Sequence, residues 1–319
     1  MAISAQSRRT LNQKSTRATP KSKREYSRHG AAEPGGALYV VATPIGNAAD
    51  ITLRARDILA DVDVIACEDT RVTARLLAIH GISRPLRPYH DHNAPAAGPA
   101  LIERMRQGER VALVSDAGTP LVSDPGYRLV RGCIDNGVPV IPIPGASSIL
   151  AALAVSGLPT DRFFFAGFLP VKAGARRTAI ASLAAIPSTL VIMEAPHRLI
   201  PALTDLAASL GPREAAVTRE LTKQFEEIRR GTLVALLQHY REAGPPKGEV
   251  TLVIGGPQDT APDLADFDAR LREALASMSV SEAAAHVAKL SGLPRRAVYE
   301  RALQLTNGKG KTGPKGETR

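Results

Sequence analysis

The sequence predicts an α/β protein: two α/β domains with a ligand cleft between them, followed by a small C-terminal helical domain. Three observations carry this expectation. From Leu38 to Gly157, short apolar runs alternate with stretches of helical period. The alternation is punctuated at Gly157-Leu158-Pro159 and resumes with strands lying closer together, and after Pro257 only helical patterns remain. At 319 residues the chain exceeds the usual single domain, and a composition 44% hydrophobic and 23% charged supports a large core.

Leu38 to Ala42 reads as a buried strand, followed by the loop Thr43 to Asn47 and a helix from Asp50, its N-cap, to Asp61. A strand from Val62 to Cys67, the polar loop Glu68 to Arg71 and a helix from Val72 to His80 closed by Gly81 come next. A short strand near Leu86 leads to Tyr89-His90-Asp91-His92-Asn93 and a helix from Pro99 to Gln107. The run Val111 to Val114 ends in SDAGTPLVSDPG, Ser115 to Gly126, in which Asp124 and Pro125 suit the first turn of a helix reaching Asn136. Val138 to Ile143 is the fifth strand and ends in Pro144-Gly145-Ala146-Ser147-Ser148 before another helix. Five strands separated by helices imply a mostly parallel sheet with its loops gathered on one edge.

In the second domain, Phe163 to Phe168 and Thr189 to Glu194 read as strands, each followed by a helix. Ala215 to Arg219 and Phe225 to Arg230 flank a hairpin connection, Glu220 to Lys223, and a helix from Thr232 to Arg241 precedes a last strand, Val250 to Ile254. Adjacent strands with fewer crossovers indicate a mixed sheet. Arg176, Arg177, Arg198, Arg219, Lys223, Arg229, Arg230 and Lys247 form a cationic group that is either a balanced solvated face or a phosphate-binding one. Helices over 264–276, 281–290 and 294–305 follow; the last two, with Gly292 between them, resemble a helix-turn-helix. The division expected is 1–36 a basic tail, 37–157 and 158–257 the α/β domains, 258–305 the helical domain and 306–319 a second basic tail.

The formal charge of +10 is concentrated in those tails. Residues 1–36 hold eight basic side chains against two acidic, and residues 305–319 hold four against one. Polar, Gly/Ser/Lys-rich segments without apolar period do not order themselves, and basic tails of this kind track phosphates. The N-terminus has no signal-peptide pattern and no apolar run is long enough for a membrane span, so a cytoplasmic protein is expected. Cys67 and Cys133 lack metal-ligand spacing and read as core. No metal is expected.

TPIGN, CEDTR, YHDHN, SDAGTPLVSDPG and PGASS all follow strands, so the polar loops share one sheet edge, where open α/β folds bind ligands. No G-x-G-x-x-G follows the first strand and no G-x-x-x-x-G-K-[ST] occurs, which argues against dinucleotide binding by that route and against nucleotide hydrolysis.

Taken together, LYVVATPIGNAADITLRA, ACEDTRVTARLL, YHDHN, LVSDAGTPLVSDPGYRLV, PIPGASS, LPTDRFFFAGFLP, APHR, TRELTK and KGE resemble the RsmI family. Its members are the 16S ribosomal RNA (cytidine-1402 ribose 2′-O)-methyltransferases, within the tetrapyrrole-methylase-like class III S-adenosylmethionine (SAM) enzymes. The resemblance runs from Leu38 to Gly256, and the C-terminal helices resemble the family's small terminal domain. It implies a homodimer acting on 16S rRNA within the small ribosomal subunit, with SAM bound in the cleft between the α/β domains. Corrin and porphyrin relatives have a glycine-rich first loop, and TPIGN in its place favours the RNA branch. The positions the resemblance gives to SAM are Pro44, Ile45, Gly46, Asp116, Ala117, Gly118, Thr119, Pro120, Val122, Ser147 and Ser148. Met193, Leu221 and Gly248 come from the second domain.

Attack by a ribose hydroxyl on an already activated methyl gains from placement, and a nearby base assists it. The candidates from the edge loops are Glu68, Asp69, His90, Asp91 and His92, with Glu220 from the second domain. Asp69 and Arg71 are expected to position the nucleotide and His90 or His92 to assist proton removal. Two other readings are a SAM-dependent methylase of a small macrocycle, which needs no RNA, and a non-catalytic RNA-binding protein, which has no affinity for SAM.

Overall fold

A computed structural model describes residues 35–257, 264–291 and 293–307. The basic tails up to residue 34 and from residue 308, the linker 258–263 and Gly292 lie outside the described residues. The chain divides into two compact units, residues 1–151 with 221–223, and residues 152–220 with 224–319.

In the first unit the strands β1 (Ala37–Val41), β2 (Val64–Cys67), β3 (Leu86–Pro88), β4 (Arg110–Val114) and β5 (Val140–Ile143) form one sheet in the order β3-β2-β4-β1-β5. All four pairings are parallel. Side chains alternate across a strand, so each strand feeds two cores. Tyr39, Val41, Ile65, Cys67, Ala112 and Val114 share one core with Ala55 and Leu59 of α1 (Leu53–Asp61) and Leu77 of α2 (Thr70–Ile79). Leu38, Val64, Ala66, Val111 and Leu113 pack on the other face with Leu101 and Met105 of α3 (Ala94–Arg106) and Leu129 and Cys133 of α4 (Tyr127–Asp135). Strands buried on both faces read as continuous apolar runs, which is why they are visible in the sequence. Both cysteines are buried and free, as expected of core residues.

Three helix starts differ from expectation. Asp50 is no N-cap: it ends a 3-10 turn, Ala48–Asp50, capped by Asn47, and Thr52 caps α1 by accepting from Ala55 N at 3.1 Å. Helix α3 begins at Ala94, five residues before Pro99, because Ala94, Ala97 and Leu101 continue the buried stripe through the proline. Asp124 does not cap α4; Gly126, at φ +140°, stands in that position.

In the second unit β6 (Phe163–Phe168), β7 (Thr189–Glu194), β8 (Glu214–Arg219), β9 (Glu227–Thr232) and β10 (Val250–Ile254) form a mixed sheet ordered β6-β7-β10-β8-β9. Only β6 pairs parallel to its neighbour among these strands. Strand β9 starts at Glu227, two residues later than Phe225, which is exposed. The apolar face of the sheet packs on α6 (Ala173–Leu183), α7 (Leu199–Leu210) and α8 (Leu233–Ala243) through Ile180, Leu203, Leu206 and Leu236. Helix α5 (Ser148–Ser156) joins the units in sequence.

The cationic group of this unit proves to be largely structural. Arg176 is buried and bonds Asp205 at 2.7 Å, and Arg198 pairs with buried Glu194 at 3.0 Å and donates to the Leu169 carbonyl. Arg219 and Arg229 both pair with Glu227, and Arg230 donates to the Val155 and Ser156 carbonyls at the end of α5.

The helices α9 (Leu264–Ser277), α10 (Val280–Ser291) and α11 (Arg295–Asn307) share a core of Phe267, Leu271, Ala283, Val287, Val298 and Ala302. Ser279 and Glu282 form a reciprocal capping box at the start of α10, and Arg301 ties α11 to Asp268 of α9 at 2.6 Å. Among the described residues no helix is long and apolar enough to cross a membrane.

Truncating one partner of a buried ion pair leaves the other charge uncompensated. Arg176→Ala is therefore expected to lower unfolding free energy by about 3–5 kcal/mol. Urea denaturation checks this, and adding Asp205→Ala should restore part of the loss because the stranded carboxylate is then gone.

Candidate active site

The βα loops of a parallel sheet emerge at its carboxyl edge, and in the first unit this edge gathers four of the polar loops around one turn. Thr43 and Gly118 exchange backbone hydrogen bonds at 2.8 and 3.1 Å, which fastens TPIGN to the central loop. The Thr43 hydroxyl lies 3.2 Å from the Ser115 carbonyl and 3.4 Å from that of Gly118. Thr119 Oγ1 donates to the Ala146 carbonyl at 3.2 Å, drawing in PGASS. Gly118 stands at φ +77°, and a Cβ there would sit 3.4 Å from Ile45 and 3.9 Å from the Ala146 carbonyl, so three loops converge on its backbone. Pro44, Ile45, Gly118 and Pro120 are buried, Ala117, Thr119 and Val122 half-buried, and Asp116 exposed. Ser147 caps α5: its carbonyl accepts from Ala151 N at 2.9 Å, with Ser148 as the first helical residue.

Gly46 lies against a turn from far along the chain. A Cβ at this position would overlap the Lys223 side chain, and the Asn47 amide donates to Thr222 Oγ1 at 3.1 Å. The turn Leu221–Lys223 thus belongs with the first unit, against the TPIGN loop, and the missing side chain of Gly46 makes room for it.

Backbone strain marks the same segments. Leu121 (φ +74°), Ser123 (φ +65°), Glu220 (φ +50°) and Thr222 (φ +66°) are the non-glycine residues at positive φ among those described. All four fall in SDAGTPLVSDPG or RELTK. Side chains avoid this region at a cost of order 1–3 kcal/mol each, and such residues concentrate at functional sites.

The charged groups divide by environment. Asp69 caps α2, accepting from Arg71 N at 2.8 Å and from the Arg71 guanidinium at 2.6 Å. Those bonds from Arg71 hold its carboxyl down at about 2. The Asp69 amide donates to Asp116 Oδ1 at 3.0 Å, which links the β2 and β4 loops. Glu68 is pushed up by burial and then by the charges of Asp116 and Asp91, with His90 opposing. Asp124 is raised to about 6, first by burial and then by Glu68 and Asp116, against a lowering hydrogen bond from Ser115. The His90 amide donates to Asn93 Oδ1 at 2.9 Å, and the His90 ring lies edge-on to that of His92 at 6.0 Å. His90 Nδ1 is buried without a hydrogen-bond partner among the described residues. His90 is half-buried, whereas His92 is exposed.

Glu220 and Gly248 meet within the second unit, where Glu220 Oε1 accepts from the Glu249 amide at 2.9 Å and a Cβ on Gly248 would overlap the Glu220 carboxyl. Met193 lies on β7 opposite Thr251 of β10. Sequence reasoning missed Asp124 and Ser115 as members of the first-unit cluster. An acid in Ser-Asp-Pro-Gly has the pattern of a helix cap, and only the fold shows Gly126 in that position and the Asp124 side chain half-buried, with Glu68 and Asp116 bearing on it.

The comparisons define the class. Residues 37–237 match the family described as Tetrapyrrole (Corrin/Porphyrin) Methylases, and residues 261–306 match the RsmI C-terminal HTH domain. The fold is shared with the solved methyltransferase CobJ, at a TM-score of 0.53 and 19% identity over 69% of this chain and 94% of that one. The chain is a SAM-dependent methyltransferase of the tetrapyrrole methylase class. Two relatives, each named ribosomal RNA small subunit methyltransferase I, are more similar. That of Mesorhizobium japonicum is 54% identical over 87% of this chain and 95% of its own length, and that of Erythrobacter litoralis 51% identical over 87% and 98%. The chain belongs to the ribosomal RNA small subunit methyltransferase I family.

The donor set of the first-unit edge fits SAM. Backbone groups of a strained turn, a glycine with open φ, the hydroxyls of Thr119 and Ser147 and the carboxyl of Asp116 suit an amino acid and nucleoside carrying a positive sulfonium.

The fold retains the Asp124 proton from the ordinary carboxylate value of 3.8 up to about 6. Across that window the native state binds more protons than the unfolded chain, so this group's contribution to stability falls as pH rises. Asp124→Asn is expected to raise the melting temperature at pH 8 relative to the parent and to leave it nearly unchanged at pH 4, as read by thermal unfolding at both values.

Proposed function

We propose that this chain methylates the ribose 2′-hydroxyl of a cytidine in the decoding region of 16S rRNA, the position numbered 1402, within the small ribosomal subunit. What carries the reading is that similarity to proteins named ribosomal RNA small subunit methyltransferase I extends through both sheets and into the three C-terminal helices. SAM supplies a methyl group already activated on a sulfonium. The protein's contribution is placement of the acceptor oxygen in line with it and removal of the proton.

In this reading SAM lies along Pro44, Ile45 and Gly46, the turn Asp116 to Val122, and Ser147 and Ser148, with Leu221 of the turn that belongs with the first unit, and with Met193 and Gly248 of the second. Asp69 and Arg71, locked to each other by hydrogen bonds from the Arg71 amide, Nε and Nη2, present a fixed cation for the nucleotide. Arg71 is the exposed partner, its side chain 87% accessible. His90 is favoured over His92 as the base, since its Nδ1 is buried and unpartnered among the described residues and its ring bears on the Glu68 carboxyl. Glu220 supports the second-domain turn. The domain division at 37–157, 158–257 and 258–305, the phosphate-tracking role of the tails, the cytoplasmic location and the homodimer belong to the same reading. The edge strand β6, with Phe163, Phe164 and Phe168 exposed, offers an apolar edge for a second copy.

Incubation with labelled SAM and small subunits lacking native methylation is expected to place label at one alkali-resistant linkage, at that cytidine. Absence of label on subunits and on naked RNA, with SAM still bound, would overturn the reading. His90→Ala is expected to slow single-turnover transfer by about 10²–10⁴-fold. An unchanged rate would remove His90 as the base.

A further inference from the structure

The turn Leu221–Lys223 comes from far along the chain, and each of its three residues is engaged in the first unit. Leu221 is buried, the Thr222 hydroxyl accepts from the Asn47 amide at 3.1 Å, and the Lys223 stem lies along Gly46. A Cβ on Gly46 would overlap Lys223 Cγ and stand 2.9 Å from its Cε, so the stem runs beside the TPIGN backbone over most of its length. Holding it there strains the chain. Thr222 sits at φ +66° and Glu220, just before the turn, at φ +50°. A β-branched side chain in that region is an outlier, and such strain persists only where the surroundings over-determine it.

What the turn delivers is a cation, to loops that have none of their own. The segments leaving β1, β4 and β5, residues 42–52, 115–126 and 144–147, contain no lysine or arginine. Glu68, Asp69, Asp91, Asp116 and Asp124, by contrast, all follow strands of this sheet. An RNA backbone laid on this edge therefore meets five carboxylates, and Arg71, in the first turn of α2, is the cation on the β2 side. Strand order places the β4 loop between those of β2 and β1. Arg71 and the TPIGN loop that carries Lys223 thus flank SDAGTPLVSDPG on opposite sides, across two strand spacings of about 4.8 Å each. A ribose in a chain has a phosphate on either side, so a cation on each flank of the central turn holds the sugar over it. Laying the lysine stem on Gly46 removes rotamer freedom beforehand, which lowers the entropic cost of the contact.

We propose that Lys223 is a substrate-binding residue of the methyl-transfer site: its ammonium holds an RNA phosphate on the β1 side of the central turn while Arg71 holds one on the β2 side, so that the ribose between them lies over the turn. The inference rests on the reading that this edge takes SAM and RNA.

The test is methyl transfer to small subunits lacking native methylation, measured for Lys223→Met over a range of salt concentrations, beside calorimetric titration of the same variant with SAM alone. Methionine keeps an unbranched stem on Gly46 and removes the charge. The expected result is a KM for subunits raised about tenfold, by loss of one charge-assisted contact, with SAM affinity equal to the parent's. The plot of log KM against log salt concentration should flatten by about 0.7, the counterion release of one phosphate on a single strand. Lys223→Arg should keep the parent's slope. A lysine that only staples the turn to the loop does not move that slope. Lys223→Met with the parent's KM and slope overturns the proposal, and so does a loss of SAM affinity that accounts for the whole effect, which assigns the lysine to the cofactor's carboxylate. If Lys223→Met does not fold, acylation of the parent's lysines decides: Lys223 should react in the free protein and with SAM, and be shielded once subunits are bound. Equal reaction in the three states, or shielding by SAM alone, overturns the proposal. A parent that leaves subunits unmethylated overturns it together with the reading of function, whereas an active parent matched by Lys223→Met overturns this proposal alone.

Discussion

Parallel strands cannot be joined by tight turns. Each strand of the first sheet must hand the chain to a helix that returns it to the opposite edge. Every loop that leaves a strand therefore emerges at the same edge, and side chains distant in sequence meet there without any further device. The site follows from that constraint: Thr43, Gly118 and Ala146 converge because β1, β4 and β5 are neighbours running the same way. The buried faces of those strands supply the rigidity that lets strained backbone persist at Leu121 and Ser123.

Electrostatics at this edge is set by crowding of acids rather than by pairing. Glu68, Asp91, Asp116 and Asp124 bear on one another with few cations among them, and burial adds to the cost of charging Glu68 and Asp124. Asp69 is the contrast: half-buried and bonded to Arg71, its carboxyl is held low. The same edge thus holds two carboxyls raised by burial and like charge, that of Asp124 to about 6, beside one held down at about 2. A cationic methyl donor and a reaction that releases a proton both suit such an arrangement.

The second unit treats charge in the opposite manner. Its arginines are committed to named partners: Asp205, Glu194, Glu227 and the carbonyls closing α5. A cluster of arginines in a sequence gives the impression of a phosphate site, yet most of these hold strands and helix ends in register.

The sequence by itself determined the two sheets, their parallel and mixed character and the edge on which the polar loops lie. These depend on local apolar period and on Gly and Pro punctuation, which are written in contiguous residues. It also determined the family, since nine motifs in fixed order are a property of the string. Only the tertiary structure decided that Gly126 rather than Asp124 stands at the start of α4, that Gly46 makes room for Lys223, and that Arg176 is core. The reason is physical: a helix cap, a glycine beside a distant side chain and a buried arginine look the same locally as their alternatives. What separates them is which distant side chain arrives beside them, and that is fixed by packing between elements far apart in the chain.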